Sequence, residues 1–250
     1  MNEVIGTLLS HRSIRSYLDK PISEELLEQI IKAVQSAPNW VNIQHVSIIA
    51  IKNIKRRERL ALLCGNQKHI EEAPVFLVFC ADYYRTYLVC KEKNQSVDKV
   101  IKDIDNLIVG SHEVGIALGT AVVAAESLGL GTVVIGDVRL NALEVIKELN
   151  LPKYVIPILG LCIGYSAQNT DLKPRLPKNA VYFEEVYNHD LHELIKEYDE
   201  IYAKYLKERP YNNRISNWTE LVTDFYCYPY NHYPQISKML SKQGFVNDEK

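Results

Sequence analysis

Apolar residues follow a helical period at the start of the chain and a strand-like run further on. Val4, Ile5, Leu8 and Leu9 recur at the spacing of a helix that Asn2 is placed to cap. Ser23 caps a second helix, with Glu24 and Glu25 in its first turn and a stripe at Leu26, Leu27, Ile30, Ile31 and Val34 predicted to be buried. Pro38 stops it. Val46–Ile51 and 75–81 have the length and composition of strands, with a charged-faced helix over Ile54–Leu63 between them. A long helix is predicted over about 100–128, and its half from Ile116 to Ala125, almost wholly apolar and rich in small residues, should be buried. Gly129 follows as a cap, then a strand at 132–135, a short helix at Ala142–Leu149 and a fourth strand at Val155–Gly164. Helices and strands interleave without a strict βαβ rhythm, so an α+β domain with a central sheet fits better than a doubly wound fold.

The 250 residues, 47% of them hydrophobic, suffice for a sizeable core. Lysine plus arginine (29) nearly balance aspartate plus glutamate (31), which argues against nucleic acid or an anionic membrane as a general partner. The longest apolar run, 115–125, is bracketed by Glu113 and Glu126 and is shorter than the about 20 residues of a membrane span. No membrane span is therefore predicted. The opening Met1-Asn2-Glu3-Val4 has no basic or apolar leader character, so a cytoplasmic protein is expected. Cys64, Cys80, Cys90, Cys162 and Cys227 form an odd set without a Cys-x-x-Cys pair and read as reduced thiols. After Pro177 tyrosines accumulate: Tyr182, Tyr187, Tyr198, Tyr202, Tyr205, Tyr211, Tyr226, Tyr228, Tyr230 and Tyr233. The stretch from Tyr205 to Tyr230, interrupted by Pro210 and Pro229, reads as an arm wrapping a partner subunit, the alternative being a self-packed C-terminal lobe.

Candidate chemistry begins at His11-Arg12-Ser13-Ile14-Arg15, where two guanidinium groups, an imidazole and a hydroxyl fall within five residues. This is the composition of an anion site, because arginine offers a planar fork of donors and serine a small donor at close approach. Further basic clusters follow at Lys173-Pro174-Arg175 and at Arg209 and Arg214. Gly129-Leu130-Gly131 has the wrong context for a dinucleotide fingerprint, since a helix ends there and a strand follows. The chain has neither a phosphate-binding Gly-x-x-x-x-Gly-Lys-Ser/Thr loop nor a Gly-x-Ser-x-Gly nucleophile elbow. His189 and His192, three apart, would share a helix face but lack a third metal ligand, and a polar helix start is the preferred reading.

Taken in order, His11 to Arg15, Gly65-Asn66-Gln67-Lys68-His69, Phe79-Cys80-Ala81-Asp82, 124–131, Leu159-Gly160-Leu161-Cys162-Ile163-Gly164 and Asp171-Leu172-Lys173-Pro174-Arg175-Leu176-Pro177 resemble the nitroreductase family. The likeness is to its oxygen-insensitive NADPH nitroreductase and NADPH-flavin oxidoreductase branch. The resemblance implies an α+β, nitroreductase-like fold with a central, mainly antiparallel sheet flanked by helices. It implies one domain over 1–250, with 183–250 as C-terminal helix and dimer-wrapping arm. It further implies an intertwined homodimer holding one non-covalent FMN in each of two interface sites.

By matching position, the resemblance implies that His11, Arg12, Ser13 and Arg15 line the FMN site, with Arg15 near the pyrimidine edge of the ring. Gln67 would hydrogen-bond the ring, Val134, Ile135, Gly136 and Asp137 would pass along it, and Lys173 and Arg175 would hold the phosphate. Arg209 and Arg214 would bind the 2′-phosphate of NADPH. Two positions depart from the branch. Ala37-Pro38-Asn39-Trp40-Val41-Asn42-Ile43-Gln44 replaces a serine-rich loop; Asn39 can still bond the ribityl chain, while Trp40 and Val41 alter the pocket. Asp137 replaces the second residue of a Gly-Gly pair, and its carboxylate would either face water or repel an anionic acceptor. The implied activity is ping-pong transfer from NADPH, through FMN, to nitroaromatic, quinone, azo or free flavin acceptors, with no metal and no side chain acting as the catalytic group. The alternative is a flavin-binding carrier or redox sensor with little turnover.

Overall fold

The structure, a computed structural model, describes residues 2–227 and 233–246. The chain divides into two compact units, one of residues 1–168 with 232–250 and one of residues 169–231.

In the first unit, β1 (Val46–Ile51), β2 (Val75–Asp82), β3 (Gly131–Ile135) and β4 (Val155–Gly164) form one sheet in the order β1-β2-β4-β3. Every neighbouring pair is antiparallel. Each residue of β2 is buried, which explains its apolar sequence up to the closing Asp82: both faces of the sheet are covered. The helices of this unit are α1 (Glu3–Leu9), α2 (Glu24–Gln35), α3 (Ile54–Leu63), α4 (Lys68–Glu72), α5 (Tyr84–Glu92), α6 (Asp98–Ile101), α7 (Ile104–Ser127) and α8 (Ala142–Leu149), with a further helix at Ile236–Lys242. On one face, Leu27 and Ile30 of α2 and Val114 and Ala121 of α7 pack with Leu77 and Phe79. On the other, Leu60 of α3 and Val145 of α8 pack with Phe76, Val78 and Cys162. Gly160 lets the layers close, because a Cβ there would lie 2.6 Å from the Phe76 ring.

The predicted caps form: Asn2 accepts from Ile5 N, and Ser23 accepts from Leu26 N. Two expectations, on where the long helix runs and on which of its residues and those of α2 are buried, are corrected. The helix predicted over 100–128 is two helices, broken where the Asp103 side chain accepts from Asp105 N and starts α7 afresh. Within 116–125, Ala117, Leu118, Ala121 and Ala125 are buried but Ile116 is exposed, and on α2 only Leu27, Ile30 and Val34 of the predicted stripe are fully buried. By length and composition alone α7, 24 residues with a mean hydropathy of 1.6, could cross a bilayer. It serves instead as the core helix of this unit, burying Val109, Glu113, Val114, Ala117, Leu118, Ala121 and Ala125.

The second unit is built on α9 (His192–Glu208) and α10 (Trp218–Tyr226). Tyr198, Tyr202 and Leu206 form its core with Leu176, Tyr205, Trp218 and Leu221 against them. Asn217 and Glu220 make a reciprocal capping box at the start of α10. Because α9 starts at His192, His189 lies outside the helix, in keeping with the polar helix start read from these residues. Tyr182, Tyr187, Tyr211 and Tyr226 are exposed. Tyr228, Pro229 and Tyr230 lie outside the described residues, and Tyr233 belongs to the first unit. All five cysteines are free thiols; Cys64, Cys80 and Cys162 are buried, and Cys227 is exposed.

Candidate functional site

The basic pentapeptide leaves α1 and runs alongside the start of β3. Ser13 bridges Thr132, and Ile14 N donates to Thr132 O at 2.8 Å. Ile14 is buried against Gly131, where a Cβ would stand 2.8 Å from Ile14 Cγ1, so the close approach needs a glycine. With Ile14 turned inward, the alternation of extended chain turns Ser13 and Arg15 the other way. His11 Nδ1 lies 2.7 Å from Glu126 Oε1, which also accepts from Thr132 Oγ1 at 2.7 Å. Arg12 Nη1 donates to Ser10 O at 2.8 Å, while its Nε is buried with no hydrogen-bond partner among the described residues.

Downstream, β3 carries Val134 and Ile135 to Gly136 and Asp137. Val134 is the one exposed residue of this strand. Gln67, immediately before α4, donates its Nε2 to Asp137 Oδ2 at 2.6 Å, and the Tyr233 hydroxyl donates to Asp137 Oδ1 at 3.1 Å. The half-buried Asp137 carboxylate thus accepts from two protein donors. It also adds to the burial that pushes the Cys64 thiol up to about 12. His69 brings this loop to the pentapeptide: its pKa is lowered by burial and then by the positive charge of Arg15. Its Nε2 is buried without a hydrogen-bond partner among the described residues.

The loop before β1 is pinned elsewhere. Glu113, a wholly buried carboxylate on α7, accepts from Trp40 N at 2.8 Å and His45 N at 2.9 Å. The loop is strained, with Val41, Asn42 and Gln44 at φ 41°, 61° and 62°. Asn39 Oδ1 is buried without a hydrogen-bond partner among the described residues, in a cavity of about 640 Å³ that Pro38, Gln44, Arg85 and Glu113 also line. Trp40 and Val41 are exposed. Glu113 and Glu126 are separated by roughly 20 Å of helix. Within one chain, Asn39 is therefore not brought to the pentapeptide.

In the second unit, Tyr198 OH donates to Pro174 O at 3.0 Å and fixes the segment between Lys173 and Arg175, both of which are exposed. Arg209 Nε donates to Asn212 O at 2.8 Å, its guanidinium 5.8 Å from the Tyr205 ring centroid. Arg214 is exposed, and its backbone N donates to Leu206 O at 3.0 Å.

Residues 8–165 match the model of the nitroreductase family, and residues 173–248 match that of the nitroreductase family, C-terminal domain. The chain belongs to the nitroreductase family. This nitroreductase is 46% identical over 247 residues to an FMN reductase [NAD(P)H] of Bacillus subtilis, covering 98% of each chain. It is 38% identical over 246 residues to an oxygen-insensitive NADPH nitroreductase of Salmonella typhimurium, covering 98% of this chain and 99% of the relative. Among solved structures, the hypothetical oxidoreductase YcnD from Bacillus subtilis superposes with a TM-score of 0.95 at 45% identity over 100% of both chains.

The FMN that the family implies fits the donors of this nitroreductase. The buried Arg12 Nε and Asn39 Oδ1 are a donor and an acceptor still to be satisfied. Arg12, Ser13 and Arg15 supply the cationic and hydroxyl donors that an anionic cofactor requires. Sequence reasoning gave no role to four residues that organise these groups: Glu126 behind His11, His69 beside Arg15, Glu113 beneath the Asn39 loop, and Tyr233 on Asp137. Glu113 and Glu126 carried a signal, as acidic residues bracketing an apolar helix. Tyr233 carried none, being 96 residues from its partner.

Proposed function

We propose that this nitroreductase is an FMN-dependent NAD(P)H oxidoreductase that prefers NADPH and passes electrons to nitroaromatic, quinone, azo or free flavin acceptors by a ping-pong scheme. The observation that carries this reading is the buried Arg12 Nε, without a hydrogen-bond partner among the described residues, within a pentapeptide that β3 holds extended. When bound, FMN supplies hydride acceptance from the nicotinamide and onward delivery to the acceptor. The protein binds, orients and balances charge. His11 is set by Glu126; Arg12 and Ser13 donate; Arg15 offers positive charge to a ring that becomes more anionic on reduction; Gln67 and the stretch Val134, Ile135, Gly136 and Asp137 line the ring. Lys173 and Arg175 take the phosphate, and Arg209 and Arg214 take the 2′-phosphate of NADPH. No side chain is needed as general acid or nucleophile.

The working form is a homodimer in the cytoplasm; within the expected arm 183–250, residues 233–246 belong to the first unit of their own chain, so the reach to a second copy is proposed for the stretch before them. The separation of Glu113 from Glu126 supports the dimer, because the Asn39 loop of one copy is then free to serve the pentapeptide of the other. The visible spectrum of the purified protein, before and after anaerobic NADPH or NADH, tests the reading. Flavin bands should bleach, faster with NADPH. Arg214→Ala should lower kcat/KM for NADPH roughly tenfold or more, the value of one lost charge-assisted phosphate contact, and affect NADH far less. A flavin that resists both nucleotides would move the protein to the carrier reading.

A further inference from the structure

Asp137 does more than line a wall. Its two oxygens accept from Gln67 Nε2 at 2.6 Å and from the Tyr233 hydroxyl at 3.1 Å. An ionised carboxylate only accepts, so the end of the Gln67 amide turned toward it has to be the NH₂. Rotating the amide by half a turn would oppose two oxygens and forfeit a charge-assisted hydrogen bond. The Gln67 backbone is fixed as well, since its carbonyl accepts from Ile70 N at 3.0 Å at the start of α4. With one N–H given to Asp137, the amide keeps its oxygen and its second N–H uncommitted among the described residues. Tyr233 is held in turn: Arg139 lies 4.6 Å from its ring centroid, and burial and then Asp137 raise its pKa, which keeps the hydroxyl a donor.

We propose that Asp137, buttressed by Tyr233, is a positioning residue that fixes the polarity of Gln67, so that the amide presents its oxygen and not its nitrogen to the flavin. The identity of the flavin rests on the function proposed above. Position 67 then matches a ring N–H and disfavours a ring carbonyl. An acceptor backed by a carboxylate also opposes the negative charge gained on reduction, so it favours oxidised over reduced FMN and counterbalances Arg15.

Two measurements test this on the full chain. In the FMN-free protein, the ¹⁵N–¹H₂ resonance of the Gln67 side chain, assigned by its loss in Gln67→Leu, should show one displaced proton that exchanges slowly with water. Asp137→Ala should return it to the position of exposed glutamines, and Asp137→Asn, which keeps one acceptor, should leave it intermediate. In the FMN-loaded protein, both variants should tighten reduced relative to oxidised FMN by about tenfold, an upward shift of roughly 30 mV in the midpoint potential of a two-electron couple. A Gln67 resonance indifferent to Asp137→Ala, or a midpoint unmoved in both variants, would overturn the assignment. Should the alanine variant fail to fold, the asparagine variant delivers both readouts. If the wild-type chain takes up no FMN, the functional reading fails, while the amide resonance still decides whether Asp137 holds Gln67.

Discussion

His69 is a single residue whose environment acts in one direction. Burial disfavours its charged form, and Arg15 opposes a second positive charge nearby, so its pKa lies below the ordinary value of 6.5. Unfolding frees the imidazole to take up a proton that the folded state resists. The stability it contributes is thus fully present above about pH 6.5 and is lost as pH falls from there through the lowered folded value. Urea unfolding between about pH 7.5 and about pH 5, from above the ordinary value to well below it, should show the loss, and His69→Gln should flatten it. The sequence presented His69 only as the end of the Gly65–His69 motif. Nothing in its neighbours along the chain announces a half-buried imidazole within the field of Arg15, which is 54 positions away.

At the scale of elements, the Asn39 loop depends on a carboxylate from α7. Removing the Glu113 side chain would leave the Trp40 and His45 amides without their acceptor, next to a backbone already at positive φ. Glu113→Ala should therefore cost about 2–5 kcal/mol in chemical denaturation, and Glu113→Gln, which keeps one acceptor oxygen, distinctly less. Much of this level was legible. β1, α3, α8 and β4 fall where apolar period and composition put them, because each is a short element with a one-sided or fully buried pattern. The break before α7 was not legible: Val100, Ile101 and Ile104 keep the helical period across it, and only the Asp103 cap separates the two helices. The site divided in the same way. Its basic donors could be read from residue type, while Glu126, Glu113 and Tyr233 act through contacts made across the fold.

For the whole molecule, the pattern of exposure bears on assembly. Val4, Ile5, Leu8 and Leu9 on α1 and Ile104, Ile108 and Ile116 on α7 are all exposed, and α1 packs on α7. An apolar surface of this kind is what a second copy would cover. Sedimentation should give about twice the chain mass of 28.7 kDa. Ile116→Glu should shift the protein toward monomer and reduce FMN retention together, and a monomer that keeps its FMN would refute the shared site.

The two acidic anchors of α7 have one more consequence. At about 100° per residue, the thirteen steps from Glu113 to Glu126 place them on faces roughly 140° apart, one serving the Asn39 loop and the other His11. The helix thus acts as a ruler that sets both the distance and the phase between two loops that never meet in one chain. Inserting or deleting a single residue between the anchors would swing one carboxylate a quarter-turn off its target. Homologous chains should accordingly vary in length on either side of this interval and hold its residue count constant within it.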